Sequence, residues 1–171
     1  MAIGGSYPNP RFELYIRNRV NCLFPNHDCT ILDVGPGNGK YGRLLKAFAK
    51  RIDAIEIFPQ TLKVNQINEL YYQIFVGDIC DFEFEHYDIV IFGDVLEHIE
   101  TARAQQLLDR IYDKCKEIIV VVPYLYEQGE TDGNVHEIHL QPDLTHEVFL
   151  KRYPHFKCLA TEEYQGIYIK K

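Results

Sequence analysis

Four short stretches of this 171-residue chain carry residue types that can do chemistry, and each follows an apolar run. The stretch Gly93-Asp94-Val95-Leu96-Glu97-His98 sets two carboxylates and an imidazole almost side by side. Such a set can hold or move a proton, because histidine titrates near neutrality and a carboxylate beside it can orient it or act as a base. The stretch Asp33-Val34-Gly35-Pro36-Gly37-Asn38-Gly39 opens a glycine turn ahead of helical spacing. Its glycines remove side chains so that backbone can approach a ligand, and the helix that follows offers unpaired N–H groups to an anion. Two more runs close on acids, in Ala54-Ile55-Glu56-Ile57 and in Val76-Gly77-Asp78-Ile79. Glu56 can accept from ribose hydroxyls. Asp78 followed by Ile79 suits an adenine, one accepting its exocyclic amine and the other packing its ring.

The elements that must position these residues alternate between strand and helix. Residues 30–35, 51–58, 72–78, 87–95 and 117–123 read as strands, the last a continuous apolar run expected of a central parallel strand covered on both faces. Helical spacing follows the glycine turn over 40–50, with Leu44, Leu45 and Phe48 on one face. A second helix starts at Pro59 with Val64, Ile67 and Tyr71 on one stripe. A third has Thr101 as its N-cap and Ala104, Leu107, Leu108 and Ile111 on one stripe. Only a short polar link joins the third and fourth strands. Residues 9–24 read as a helix before the sheet, and another lies around Asp143 to Arg152. Two closing strands are joined by a turn at Gln165-Gly166. The expectation is an α/β fold: a doubly wound, mostly parallel seven-stranded sheet with a C-terminal antiparallel hairpin and helices on both faces. Its length suits one domain over residues 1–171, a helical segment at 1–29 and a core at 30–171.

In such sheets ligands bind beyond the carboxyl ends of the strands, near the switch point. The match Gly37-Asn38-Gly39-Lys40-Tyr41-Gly42 to G-x-G-x-x-G leaves a dinucleotide open, since the pattern alone is weak. Asp33 argues the other way: a carboxylate there repels a pyrophosphate but can help to hold a cationic ligand, directly or through water.

Taken together, "LDVGPGNG", "AIEIF", "VGDI" and "YDIVIFGDVLEHI" resemble four motifs of the class I S-adenosylmethionine-dependent methyltransferases, in order and at the expected strand ends. The "DVLEH" wording is similar to the branch that methylates small molecules. The resemblance implies S-adenosylmethionine as cofactor, bound by Asp33, Gly35, Gly37, Asn38, Gly39, Glu56, Ile57, Asp78, Ile79 and Asp94. It implies methyl transfer by in-line displacement to a small-molecule acceptor, with Asp94 and His98 as candidate catalytic residues. Asp94 orienting the cofactor's amine is preferred to Asp94 as base, and Glu97 and His98 have the plain alternative of capping a turn. The rivals are a domain that binds S-adenosylmethionine or S-adenosylhomocysteine without catalysis, an aminopropyl transferase, and an NAD-dependent oxidoreductase.

The stretch from Tyr124 to Pro142 has no clear period, and a gap this long usually marks a binding loop or lid. Tyr124, Tyr126, His136 and His139 are its candidates for holding the acceptor. "HEIH" falls one residue short of H-E-x-x-H, so no metal is expected. Tyr7, Phe12 and Tyr15 could cover the cofactor, although Phe12, Ile16 and Val20 read better as a face packed on the sheet. The net charge of −7 with no basic cluster lends nucleic acid no support. Five scattered cysteines, no signal-peptide pattern and no membrane-length apolar run point to a reducing, cytoplasmic setting.

Overall fold

A computed structural model of the chain describes residues 9–84, 86–131 and 133–171. Tyr7 lies outside them. Seven strands form one sheet: β1 (Thr30–Val34), β2 (Arg51–Glu56), β3 (Gln73–Val76), β4 (Ile89–Gly93), β5 (Glu117–Pro123), β6 (Phe156–Thr161) and β7 (Gln165–Lys170). Their order is β3-β2-β1-β4-β5-β7-β6. β1 to β5 pair in parallel, and β7 lies antiparallel between β5 and β6. This is the architecture expected from the alternating pattern.

The helices are α1 (Pro10–Leu23), α2 (Lys40–Leu45), α3 (Pro59–Asn65), α4 (Thr101–Tyr112) and α5 (His146–Arg152). Alternate residues of each central strand feed opposite faces, so the sheet separates two cores. On one face Leu32, Val34, Val90, Phe92, Val120 and Val122 pack under α4 and α5, through Leu107, Leu108, Ile111 and Phe149. On the other, Ile31, Ile89, Ile91, Ile119 and Val121 pack under α1, through Phe12, Ile16 and Val20. Burying each such side chain contributes about 1.5–3 kcal/mol. α1 is therefore a core helix: Asn9 caps it by accepting from the Phe12 amide, and its apolar stripe is spent on the sheet.

Helix ends differ from the sequence reading. α2 stops at Leu45 because the Phe48 amide donates to Leu45 in a tighter turn at 2.8 Å, which breaks the i→i−4 pattern. α3 ends at Asn65, with Gln66 in the left-handed region. Val64 is 44% exposed, while Ile67 and Tyr71 are buried beyond the helix, so these three do not share a helical stripe. Glu100, not Thr101, caps α4 by accepting from the Arg103 amide. Gln165 and Gly166 are the first residues of β7, not a turn, and pair with Pro123 and Val122. A Cβ on Gly166 would lie 2.0 Å from the Tyr124 hydroxyl, so glycine there lets that ring lie across the strand.

Candidate functional site

The strand order reverses between β1 and β4, and the two chains emerging there flank a crevice. Val34 pairs with Phe92 in register, so the glycine turn after β1 and Asp94 after β4 leave the sheet side by side. Gly35 sits at φ 63°, where a side chain is strained, and a Cβ there would approach Val95 Cγ2 to 2.6 Å. Asn65 holds the turn from α3 by donating to the Gly37 carbonyl at 2.9 Å.

A cavity of about 830 Å³ opens at this end of the sheet. It is of the size that holds a cofactor or drug-like ligand. Of the residues expected at a binding site, Gly35, Gly37, Asn38, Glu56, Ile57, Asp78, Ile79, Asp94 and His98 line it. Gly39 and Asp33 do not. Gly39 stands at φ 82° as the N-cap of α2, a position that serves the turn itself. Asp33 points to the opposite face of β1 and accepts from the Tyr71 hydroxyl at 2.6 Å. Burial pushes its carboxyl up to about 7, the Tyr71 bond working against that shift.

Glu56 and Asp78 are both engaged before any ligand arrives. Glu56 accepts from the Phe58 amide at 2.8 Å, and burial raises its pKa. Asp78 accepts from the Cys80 amide at 2.8 Å and from Arg103 at 3.0 Å. Each carboxylate oxygen has a second lone pair, so these bonds fix the acids without exhausting them. The Arg103 contact was hidden in the sequence, because α4 reaches β3 only across the folded sheet.

After β4, Asp94 takes φ 56° with its amide bonded to Val121, and the chain turns into a short 3₁₀ helix over Leu96–His98. Gln141 clamps this turn. Its side chain donates to the Leu96 and Ile99 carbonyls at 2.9 Å each, and its own oxygen accepts from Tyr153 at 2.9 Å. The Leu140 and Gln141 amides both donate to the Glu97 carbonyl. Nothing in the sequence marked Gln141 for this role.

Glu97 is 1% exposed, and neither of its carboxylate oxygens makes a hydrogen bond to a described residue. Burial, with Asp94 close by, holds its pKa well above the ordinary value. His98 is pushed down to about 4 by burial and by His139. The two imidazoles meet edge to face at 4.6 Å between centroids. His139 comes from the loop after β5, which forms one wall of the cavity through Tyr124, Tyr126, His136 and His139. His136 lies in a 3₁₀ turn over Val135–Glu137, so neither it nor His139 belongs to a strand. The loop also lines the cavity with Leu125, Val135 and Leu140, each largely exposed and so at its mouth, as does the exposed Tyr164 from the β6–β7 turn. Phe12 is buried in the core, and Tyr15 is not part of the cavity wall.

A family model described as "Methyltransferase domain" matches residues 32–117, half of the chain. No curated protein matches the sequence. Solved structures match at low identity. An S-adenosylmethionine-dependent methyltransferase from Clostridium acetobutylicum ATCC 824 has a TM-score of 0.71 at 13% identity, over 97% of this chain and 92% of that one. The N-methyltransferase NodS from Bradyrhizobium japonicum WM9 has 0.63 at 13%, over 95% and 97%. CalS10, an amino pentose methyltransferase from Micromonospora echinaspora bound to S-adenosylmethionine, has 0.64 at 11%, over 94% and 91%. At such identities the likeness is one of fold.

Proposed function

The chain belongs to the class I S-adenosylmethionine-dependent methyltransferase domains, and from that premise we propose that it transfers a methyl group to a small-molecule acceptor by in-line displacement. The observation that carries the proposal is the single cavity wall on which the strand-end motifs meet: the glycine turn, Glu56-Ile57, Asp78-Ile79 and Asp94. This donor set fits the cofactor. Glu56 would accept from the ribose hydroxyls, Asp78 and Ile79 would hold the adenine, and backbone at Gly35, Gly37 and Asn38 would meet the methionyl end. When bound, the cofactor supplies a methyl group on a sulfonium, already activated toward an acceptor lone pair.

The protein's share of the rate is then alignment and exclusion of water, which can lower a barrier by several kcal/mol without a covalent intermediate. Asp94, which lines the cavity beside the glycine turn, would orient the cofactor's amine. Asp33, turned away from the cavity, supports the site through Tyr71. His98, unprotonated at neutral pH and shifted to about 4, is a weak proton acceptor, which argues against base catalysis by this imidazole. Leu125, Val135, Leu140 and Tyr164 at the mouth support an acceptor with apolar surface. The net charge of −7 supports a small molecule over nucleic acid.

Calorimetric titration with S-adenosylmethionine, S-adenosylhomocysteine and NAD tests the cofactor half. Micromolar binding of the first two and none of the third is expected, and binding of NAD alone overturns it. Release of S-adenosylhomocysteine on addition of small hydroxyl or amine acceptors tests the acceptor half. Turnover confined to nucleic acid or protein overturns that part.

A further inference from the structure

We propose that Glu97, His98 and His139 form a divalent transition-metal site at the acceptor end of the cavity, a proposal that rests on the methyltransferase reading above. One ligand atom from each of the three lies within 4.8 Å of the others. Around a tetrahedral ion at about 2.0–2.2 Å, ligand atoms stand roughly 3.4 Å apart, so side-chain movements of about 1 Å close the set.

Two observations point to a cation and not to a chance cluster. The first is the state of the carboxylate. Among the described residues, Asp53 is held by Arg51 and Tyr87, and Glu117 by Arg19 at 2.7 Å. Asp33 has Tyr71 on one oxygen and no partner on the other. Glu97 is buried with no hydrogen bond to a described residue on either oxygen, and Asp94 nearby adds like charge. A buried carboxylate in that position is costly unless something positive completes it.

The second is the orientation of the imidazoles. His98 Nδ1 faces the Ile138 carbonyl at 3.3 Å, and His139 Nδ1 faces the Tyr126 carbonyl at 2.7 Å. A carbonyl only accepts, so these contacts favour the tautomer with the proton on Nδ1, in which Nε2 is the nitrogen that offers a lone pair. Metal-ligating histidines are held in this way, by donating the other ring N–H to a backbone carbonyl or carboxylate. Gln141 and the Leu140 and Gln141 amides tie the loop that brings His139 to the 3₁₀ turn that brings Glu97 and His98, so the three ligands share one scaffold.

Two imidazoles and one carboxylate suit zinc, manganese, iron or cobalt in the divalent state better than magnesium or calcium, which prefer all-oxygen shells. Three protein ligands leave coordination positions open. Those positions face the cavity, where an oxygen of the acceptor can take one.

The test is calorimetric titration of the chelator-treated protein with zinc, manganese and cobalt chloride, with S-adenosylhomocysteine binding measured on the same samples. The expected result is one ion per chain, with visible absorption of the cobalt form showing nitrogen coordination. His139→Ala and Glu97→Gln should each weaken binding at least tenfold, and His136→Ala should leave it within about twofold. Circular dichroism shows whether each variant is folded, and the cobalt spectrum of the wild type stands if one is not. Absence of a saturable site in a protein that still binds S-adenosylhomocysteine overturns the metal site alone. So does binding that His139→Ala and Glu97→Gln leave intact. Loss of S-adenosylhomocysteine binding by the wild type overturns the methyltransferase reading instead.

Discussion

At the scale of single residues, the acids of this protein divide by what they touch. Glu56 is held by the Phe58 amide at the cavity wall, where we propose that it takes the ribose hydroxyls. Glu56→Ala should weaken cofactor binding by about 1.5–3 kcal/mol, the scale of hydrogen bonds to a charged group. Calorimetry of a folded variant checks this, and unchanged affinity would remove Glu56 from the ribose. Asp33 behaves differently because it is sealed behind β1. Unfolded, its carboxyl titrates near the ordinary 3.8, whereas in the folded protein burial pushes it up to about 7. Between those values the folded state holds the proton and the unfolded state has released it, so stability falls as pH rises, by at most about 1.4 kcal/mol per pH unit. Asp33→Asn removes this titration and still accepts from Tyr71. Its stability advantage over the wild type should therefore grow from pH 4 to 7 and level off above. Urea unfolding at pH 5 and pH 8 reads this directly, and an equal difference at the two pH values would refute it.

At the scale of elements, the site depends on a turn and a loop that no regular structure holds. The 3₁₀ turn over Leu96–His98 is fixed by a buried glutamine that bonds the Leu96 carbonyl, the Ile99 carbonyl just after the turn and a tyrosine at once. Gln141→Ala leaves those groups buried without partners, at about 1–3 kcal/mol for each one that water cannot reach. The expected outcome is a lower urea midpoint together with faster amide exchange at Leu140 and Gln141, whose amides bond to Glu97. A variant with the wild-type midpoint would show that the loop is held by something else. α1 and α4, by contrast, are secured by the apolar stripes that the sequence displays.

At the scale of the whole molecule, one sheet divides two cores and its switch point opens the cavity, so fold and site share their central strands. We propose that the described chain unfolds as one unit, with far-ultraviolet circular dichroism and tyrosine fluorescence changing together. A ligand present at a hundred times its dissociation constant adds about 2.7 kcal/mol to the folded state. S-adenosylhomocysteine at that level should therefore raise the melting temperature by roughly 5–10 °C. Two separated transitions, or no shift, would count against a single domain built around this site.

The strands, their order of use and the acids at their ends were legible in the sequence because each depends on local pattern. Apolar runs such as Glu117–Pro123 exist only where both faces are covered, and Gly35, Glu56, Asp78 and Asp94 each stand where such a run stops. Helix ends were less legible, since Gln66 and the turn at Phe48 answer to packing and not to propensity. Residues far apart in the chain could be joined only by the tertiary structure. It set Arg103 on Asp78, turned Asp33 away from the cavity, and drew His139 to Glu97 and His98 in place of the His136 that neighbours it in sequence. The physical reason is the same in each case: periodicity reports which face of an element is buried, while the partner on that face is chosen by how the chain closes in three dimensions.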